Sequence, residues 1–166
     1  MTISRTEFLG GDLSGRNKVI RPPWSLTEQL FTQTCNSCGD CINQCPTHIL
    51  KPGRGQLPVI DFNQGECLFC GECAKVCQPG AIDRTFNQNA WSIVASLTDD
   101  SCIAHQNVEC RACYDPCEPG AIKFIAKIGG PSRPSLDPAS CTGCGACLAV
   151  CPVTAISMVH LTQELA

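Results

Sequence analysis

The sequence predicts an α+β fold made of four short, similar units that follow one another along 166 residues. Three features of the composition predict this class. Sixteen cysteines recur in four groups, 14 glycines and 12 prolines interrupt the chain, and aromatic residues make up only 5% of it. A chain with so little apolar surface cannot fill a large core, and small domains of this kind depend on disulfides or metals for stability.

The composition and charge also exclude several classes of protein. No apolar run approaches the roughly 18 residues that a membrane-spanning helix needs, so the sequence predicts no membrane span. The formal net charge of −3 disfavours a main role in binding nucleic acid, whose phosphates attract basic surfaces. No nucleophile–base pair, phosphate loop or nucleotide motif can be identified, and we therefore expect no enzymatic activity.

The positions of the cysteines indicate what stabilises the fold. Three quartets share the spacing C-x2-C-x2-C-x3-C, and their members are Cys35, Cys38, Cys41 and Cys45; Cys67, Cys70, Cys73 and Cys77; and Cys141, Cys144, Cys147 and Cys151. The third quartet in the chain has a wider first gap, and its members are Cys102, Cys110, Cys113 and Cys117. A proline follows the last cysteine of every quartet within two residues.

This spacing is typical of bacterial 4Fe–4S ferredoxins, in which three closely spaced thiolates hold three irons of a cubane. We therefore predict that all sixteen cysteines bind iron, in four 4Fe–4S clusters, and that the third site is the least regular. The fold class is then a tandem of bacterial-type 4Fe–4S ferredoxin units. A secreted disulfide framework, zinc sites, or three clusters with a degenerate third quartet are the alternatives.

Apolar residues indicate the elements of each unit. After each fourth cysteine we predict a small helical turn, because proline suits the first turn of a helix. An apolar pair follows each turn, at Ile49 and Leu50, Ala81 and Ile82, Ala121 and Ile122, and Ala155 and Ile156. Alternation predicts strands through Trp91, Ile93, Ala95 and Leu97, and through Ile122, Phe124, Ala126 and Ile128. A third strand, over residues 57–62, is limited to a sheet edge by Pro58. Each unit is expected to run strand, cluster loop, short helix, strand.

The quartets divide the chain into three predicted regions. These are an N-terminal arm (1–33), a ferredoxin domain with quartets one and two (34–90), and a ferredoxin domain with quartets three and four (91–166). In two-cluster ferredoxins the fourth cysteine of each quartet binds the other cluster, which links the two quartets. Two pairings remain open. Quartets pair in chain order, or quartets two and three form one domain that quartets one and four enclose.

The arm contains no cysteine and carries a segment that is similar to an export signal, Ser4-Arg5-Thr6-Glu7-Phe8-Leu9. Thr6 breaks the arginine pair of such a signal, and Asp12, Arg16 and Lys18 interrupt the apolar stretch that should follow. We therefore expect a cytoplasmic protein, where thiols stay reduced. Trp24 ends the arm, and it either packs on the first ferredoxin domain or docks a partner.

Taken together, these residues resemble the NapF-type ferredoxins of the periplasmic nitrate reductase system. The resemblance rests on the four quartets in this order and on three segments. These are Ile20-Arg21-Pro22-Pro23-Trp24-Ser25, the stretch over residues 108–119, and Cys151-Pro152-Val153 with Ala155 and Ile156. The resemblance implies a cytoplasmic iron–sulfur protein that interacts with the molybdenum-containing catalytic subunit before its export and assists its maturation, by supplying clusters or electrons.

Two other functions stay open at this point. The chain is alternatively an electron-transfer subunit of a molybdenum oxidoreductase complex, or a carrier that donates a cluster from one labile site, for which the third quartet is the candidate. None of these functions is catalytic.

Overall fold

The structure, a computed structural model, describes residues 19–85 and 89–161. The segment from Ser4 to Leu9 and the charged residues up to Lys18, on which the prediction about export rests, lie outside the described residues. The same holds for residues 86–88, next to the predicted boundary at residue 90. The division into residues 1–33, 34–90 and 91–166 stays a prediction.

The regular elements are short. The described α-helices are α1 (Glu28–Thr34), α2 (Asp40–Asn43), α3 (Glu72–Lys75) and α4 (Ala146–Ala149). The described strands are β1 (Leu50–Pro52), β2 (Pro58–Ile60), β3 (Ile93–Leu97), β4 (Ile122–Lys127), β5 (Gly130–Leu136) and β6 (Ile156–His160). They form three two-stranded antiparallel sheets, which are β1–β2, β3–β6 and β4–β5. This mixed content agrees with the predicted α+β class.

The chain folds as two halves, each with two quartets and the same order of pairing. In the second half the outer strands β3 and β6 pair from Ile93↔His160 to Leu97↔Ile156 and enclose the hairpin β4–β5. In the first half a single bridge, Ser25↔Ile82, takes the place of the outer pair, and β1–β2 takes the place of the hairpin. Pro22 and Pro23 precede that bridge and have no N–H to donate, which shortens the pairing there.

The three predicted strands are present, but they begin or end at other residues than predicted. The strand that starts at Ile122 ends at Lys127, before Ile128, and the strand predicted from Trp91 begins at Ile93. The third strand shrinks to β2, where Pro58 lies opposite Pro52 at the end of its pair. The regular order of strand, loop, helix and strand in every unit is wrong, because quartet two is followed by the bridge at Ile82 and not by a strand.

After each fourth cysteine the structure has a single hydrogen-bonded turn where a small helical turn was predicted, and the short helices lie before that cysteine. Helices α2, α3 and α4 each contain the third cysteine of a quartet and end before the fourth. After the fourth cysteine the chain makes a tight turn, because the residue three positions later is left-handed in all four quartets. These residues and their φ angles are His48 (54°), Gly80 (76°), Gly120 (66°) and Thr154 (48°). Such a residue ends helical winding and directs the chain into the apolar pair.

The apolar residues form several small clusters in place of one core. In the first half, Trp24 is only 5% exposed and packs with Phe31, Leu50 and Ile82. Of the two interpretations of Trp24, packing on the first half is therefore confirmed. In the second half, Ala95, Ile122 and Ile156 form the main cluster. A third cluster, centred on Ile49, Phe62 and Ile93, joins the halves.

Candidate iron–sulfur centres

Four cavities, each lined by four cysteines, are the main feature of the described chain. Cavity 1 is lined by Cys35, Cys38, Cys41 and Cys77. Cavity 2 is lined by Cys67, Cys70, Cys73 and Cys45. Cavity 3 is lined by Cys102, Cys110, Cys113 and Cys151. Cavity 4 is lined by Cys141, Cys144, Cys147 and Cys117.

Every cavity takes three cysteines from one quartet and its fourth from the other quartet of the same half. Cys45 and Cys77 are exchanged in the first half, and Cys117 and Cys151 in the second. The quartets therefore pair in chain order, and the nested pairing of quartets two and three is wrong. The fourth cysteine of each quartet therefore lies away from its own loop and beside the neighbouring one.

Left-handed residues shape the three regular loops. One stands on each side of the second cysteine, and the pairs are Ser37 and Gly39, Phe69 and Gly71, and Gly143 and Gly145. The second residue of each pair, a glycine in all three, is also the residue that precedes the short helix. The helix carries the third cysteine inward, so that Cys41, Cys73 and Cys147 are 7 to 8% exposed. The loop therefore wraps its three sulfurs around one cavity.

The third loop reaches a similar arrangement in another way. Between Cys102 and Cys117, all of which the structure describes, Asn107 is the only residue with a positive φ (64°). The seven residues 103–109 are anchored to strand β5 instead. Arg133 donates to the carbonyl oxygen of His105 at 3.2 Å, and His105 Nε2 lies 3.4 Å from the carbonyl oxygen of Pro134. The buried cysteine here is Cys102, at 9% exposure.

Backbone amides donate hydrogen bonds to several sulfurs. Ile82 N donates to Cys77 Sγ at 3.4 Å and Ala155 N to Cys151 Sγ at 3.2 Å. Phe69 N donates to Cys67 Sγ and Ala95 N to Cys141 Sγ, both at 3.4 Å. Amide–sulfur bonds of this kind tune the potential of iron–sulfur sites. The sequence predicted Ile82 and Ala155 only as members of the apolar pairs that follow the fourth cysteines, and they lie five and four residues after Cys77 and Cys151.

Burial controls the charge of the free thiols. It raises the pKa of Cys73 and Cys147 to about 12, and neighbouring thiolates add to the effect. Burial likewise raises the pKa of Cys41 and Cys67 to about 11. At neutral pH these four thiols are protonated in the metal-free chain, so binding of iron has to displace their protons.

The pKa values of Cys45 and Cys113 shift in opposite directions. Burial acts to raise the pKa of Cys45, but a hydrogen bond from the Thr47 hydroxyl and bonds from nearby amides together lower it. At Cys113, burial dominates and raises the pKa to about 11. Apolar burial and hydrogen bonding of the charged form therefore oppose each other within one set of sites.

The cavities fit a cubane better than a single ion. A 4Fe–4S cluster needs four thiolates spread around its corners, apolar surroundings and amides near the sulfurs, and all three are present. In residues 19–85 and 89–161, no three His, Cys, Asp or Glu side chains converge on one point closely enough to hold a single metal ion. When bound, such a cluster supplies one-electron redox chemistry.

Comparison with known proteins agrees with this geometry. Residues 34–82 and residues 100–155 each match a family model described as a 4Fe-4S dicluster domain. The ferredoxin-type protein NapF of Escherichia coli K12 is 42% identical over 158 residues, which are 95% of this chain and 95% of that protein. The chain belongs to the family of NapF ferredoxin-type proteins. It therefore carries iron–sulfur clusters in two dicluster domains and is an electron-transfer protein.

Further relatives extend the comparison. NapF of Haemophilus influenzae is 42% identical over 87% of this chain and 81% of its own length. The ferredoxin-type protein NapG of E. coli K12 is 32% identical over 89% of this chain and 72% of its own length. Both NapF proteins support the family resemblance drawn from the sequence. Among the described residues of the present chain, no helix is long and apolar enough to cross a membrane.

Proposed function

We propose that this protein is a ferredoxin with four 4Fe–4S clusters, one in each cavity, and with all sixteen cysteines as ligands. The observation that carries the proposal is the three-plus-one arrangement of cysteines around every cavity. This exchange of the fourth ligand is the arrangement of two-cluster ferredoxins. Apart from its cysteines, the chain binds the clusters through burial and through amide–sulfur hydrogen bonds.

The clusters change the charge of the protein. An oxidised cubane with four thiolates carries roughly −2, so four of them move the charge from −3 to roughly −11. A protein this acidic associates fastest with a basic surface, and the association weakens as salt is added. The cluster-bound form is therefore the one that a basic docking surface would select.

The proposed partner is the molybdenum-containing catalytic subunit of the periplasmic nitrate reductase, bound in the cytoplasm before its export. The support is family membership, since this partner is what the NapF resemblance implies. The protein would assist maturation by giving electrons or a cluster to that subunit. A permanent electron-transfer subunit of a molybdenum oxidoreductase complex is the other candidate, and it is favoured by the hydrogen bond from the Cys67 amide to the Cys144 carbonyl oxygen, which joins a residue of cavity 2 to a residue of cavity 4.

Metal analysis tests the first part of the proposal. We expect the protein purified without oxygen to contain about sixteen irons per chain, and its visible absorption to bleach on reduction. About twelve irons in the native chain would mean that one of the four sites is empty, and the irregular third site is the candidate. About four zinc ions, or no metal, would contradict the cluster assignment.

Co-purification tests the partner. We expect the iron-loaded protein to bind the precursor of the catalytic subunit that still carries its export signal, and to lose that binding at high salt. The matched control is the mature, exported form of the same subunit. Binding to the mature form alone would contradict a role before export and support the electron-transfer subunit.

A further inference from the structure

A backbone hydrogen bond between residues of cavities 2 and 4 joins the two halves. The amide of Cys67 donates to the carbonyl oxygen of Cys144 at 2.9 Å. Cys67 lines cavity 2 and Cys144 lines cavity 4, so one hydrogen bond joins residues of two cavities from different halves.

Trp91 fills the space beside this hydrogen bond. Its ring packs edge-on against Phe69, with the ring centres 5.7 Å apart, and Phe69 lines cavity 2. Its Nε1 donates to the carbonyl oxygen of Thr142 at 3.0 Å, and Thr142 lines cavity 4. One indole therefore touches the loops of both cavities.

Two glycines let the aromatic side chains approach the loop of cavity 4. A Cβ on Gly145 would overlap the ring of Phe62, which is 4% exposed and lies 5.9 Å from the Trp91 ring centre. A Cβ on Gly143 would come within 2.5 Å of Trp91 Nε1. Both glycines also have a positive φ, which is 77° at Gly143 and 85° at Gly145. The loop is thus shaped to receive Phe62 and Trp91.

We propose that this junction, formed by Phe62, Cys67, Trp91, Gly143, Cys144 and Gly145, is the point at which electrons cross between the two halves. The inference rests on the proposed function, because it requires metal in cavities 2 and 4. Electrons would then pass through the four cavities in the order 1, 2, 4, 3, or in the reverse order. Phe62 and Trp91 are positioning residues, since they hold two cysteine loops together without lining both cavities themselves.

The electron balance of the crossing is simple. Within each half, the exchanged fourth cysteines already link the two cavities, so a crossing point is needed only between the halves. One electron leaves the reduced half, which is thereby oxidised by one electron, and reduces the other half by one electron, with no proton or further reactant consumed. The junction therefore has to supply proximity and rigidity and no acid or base.

Paired removal of cavities is the first test. The double variant Cys41→Ala/Cys113→Ala leaves complete cysteine sets only in cavities 2 and 4, whereas Cys73→Ala/Cys147→Ala leaves them only in cavities 1 and 3. After full reduction of anaerobically loaded protein, we expect electron paramagnetic resonance to show spin coupling in the first variant and two separate signals in the second. Separate signals in the first variant, with two clusters measured, would overturn the proposal.

A second test keeps all sixteen cysteines. Gly145→Ala forces a methyl group into Phe62, whereas Gly39→Ala imposes the same left-handed strain (φ 83°) at the equivalent position of cavity 1, with no atom within 4 Å of the new Cβ. We expect hydrogen exchange of the Cys67 amide to become about tenfold faster in Gly145→Ala than in Gly39→Ala. Equal exchange in the two variants would overturn the proposal.

Trp91→Leu serves if Gly145→Ala loses metal, because it alters the junction without substituting a residue within a cysteine loop. With iron content unchanged, we expect it to speed exchange of the Cys67 amide and to weaken spin coupling between the halves. Unchanged exchange and coupling would count against the junction. Low iron in the wild-type chain would instead contradict the four-cluster assignment, so the two failures can be told apart.

Discussion

The two halves of the molecule surround their cavities with the same pattern of cysteines but pack that pattern with different structures. The first half has only the bridge at Ser25 between its outer segments, and it adds α1 with the buried side chains of Trp24 and Phe31. The second half has the five-residue pair β3–β6 and the long hairpin β4–β5, with no such helix before it among the described residues. The arrangement of sulfurs therefore depends on the cysteine loops and their exchanged fourth members, and the surrounding packing can be replaced.

The expanded loop of quartet three also differs in structure from the three regular loops, although it lines an equivalent cavity. Regular loops use left-handed residues on both sides of the second cysteine, whereas the expanded loop uses hydrogen bonds to β5. The left-handed residues that shape the regular loops are thus replaced, in the expanded loop, by hydrogen bonds to a distant strand. We expect the expanded loop to be the more sensitive to changes elsewhere in the chain.

The largest expected effect comes from removing an exchanged cysteine from each half. Cys77→Ala should empty cavity 1, with loss of about four irons, and Cys117→Ala should do the same to cavity 4, because metal binding supplies folding free energy. Alkylation followed by mass spectrometry identifies the thiols that lose protection. We expect Cys77→Ala to expose Cys35, Cys38 and Cys41, and Cys117→Ala to expose Cys141, Cys144 and Cys147. Labelling confined to the variant's own quartet would contradict the exchange.

The next largest effect is expected from removing a buried side chain of the first half alone. Trp24→Ala removes a buried indole that packs under the Arg84 guanidinium, 4.5 Å from the ring centre, and should destabilise the first half by ~3–5 kcal/mol. Tyr114→Ala is the matched control in the second half, because its side chain is 45% exposed. Under a chelator, we expect Trp24→Ala to lose iron from cavities 1 and 2 first. Equal loss from all four cavities would mean that the halves do not unfold separately.

A smaller effect is expected from removing the side-chain hydrogen bonds that hold two of the cysteine loops. Arg133→Ala removes the partly buried hydrogen bond to the carbonyl oxygen of His105 and should cost ~1 kcal/mol. Ser37→Ala removes an exposed bond to the carbonyl oxygen of Gly55 in the loop of cavity 1 and should cost less. Chelator-driven release of iron, resolved by cavity, is the measurement. Faster release from cavity 1 in Ser37→Ala than from cavity 3 in Arg133→Ala would reverse the comparison.

The smallest effect concerns the turns after the fourth cysteines. Gly80→Ala places a Cβ at a φ of 76° with no atom within 4 Å, so only backbone strain opposes it, at ~1 kcal/mol. Thr154→Gly relieves the same kind of strain in the second half and should raise thermal stability, although the flexible unfolded chain offsets part of the gain. Thermal unfolding of the iron-loaded variants measures both. Stabilisation by Gly80→Ala would show that this turn is not strained.

The sequence alone determined the cysteine quartets, the cluster type, the α+β class and the family resemblance. It could do so because ligand spacing in a short loop is a local property that neighbouring residues control. Strands β3 and β4 were predicted for a similar reason, since alternation of apolar residues is visible in the chain. The short helices were misplaced because the left-handed conformation of His48 and Thr154 is not apparent from their residue type.

Only the tertiary structure decided which quartets pair, how the expanded loop is anchored and where the halves meet. These features depend on contacts between distant residues, such as Cys67 with Cys144 and Arg133 with His105. Chain-order and nested pairings use the same sixteen cysteines, so no spacing could separate them. The pairing follows from the direction of the chain after each turn, which is a property of three-dimensional packing.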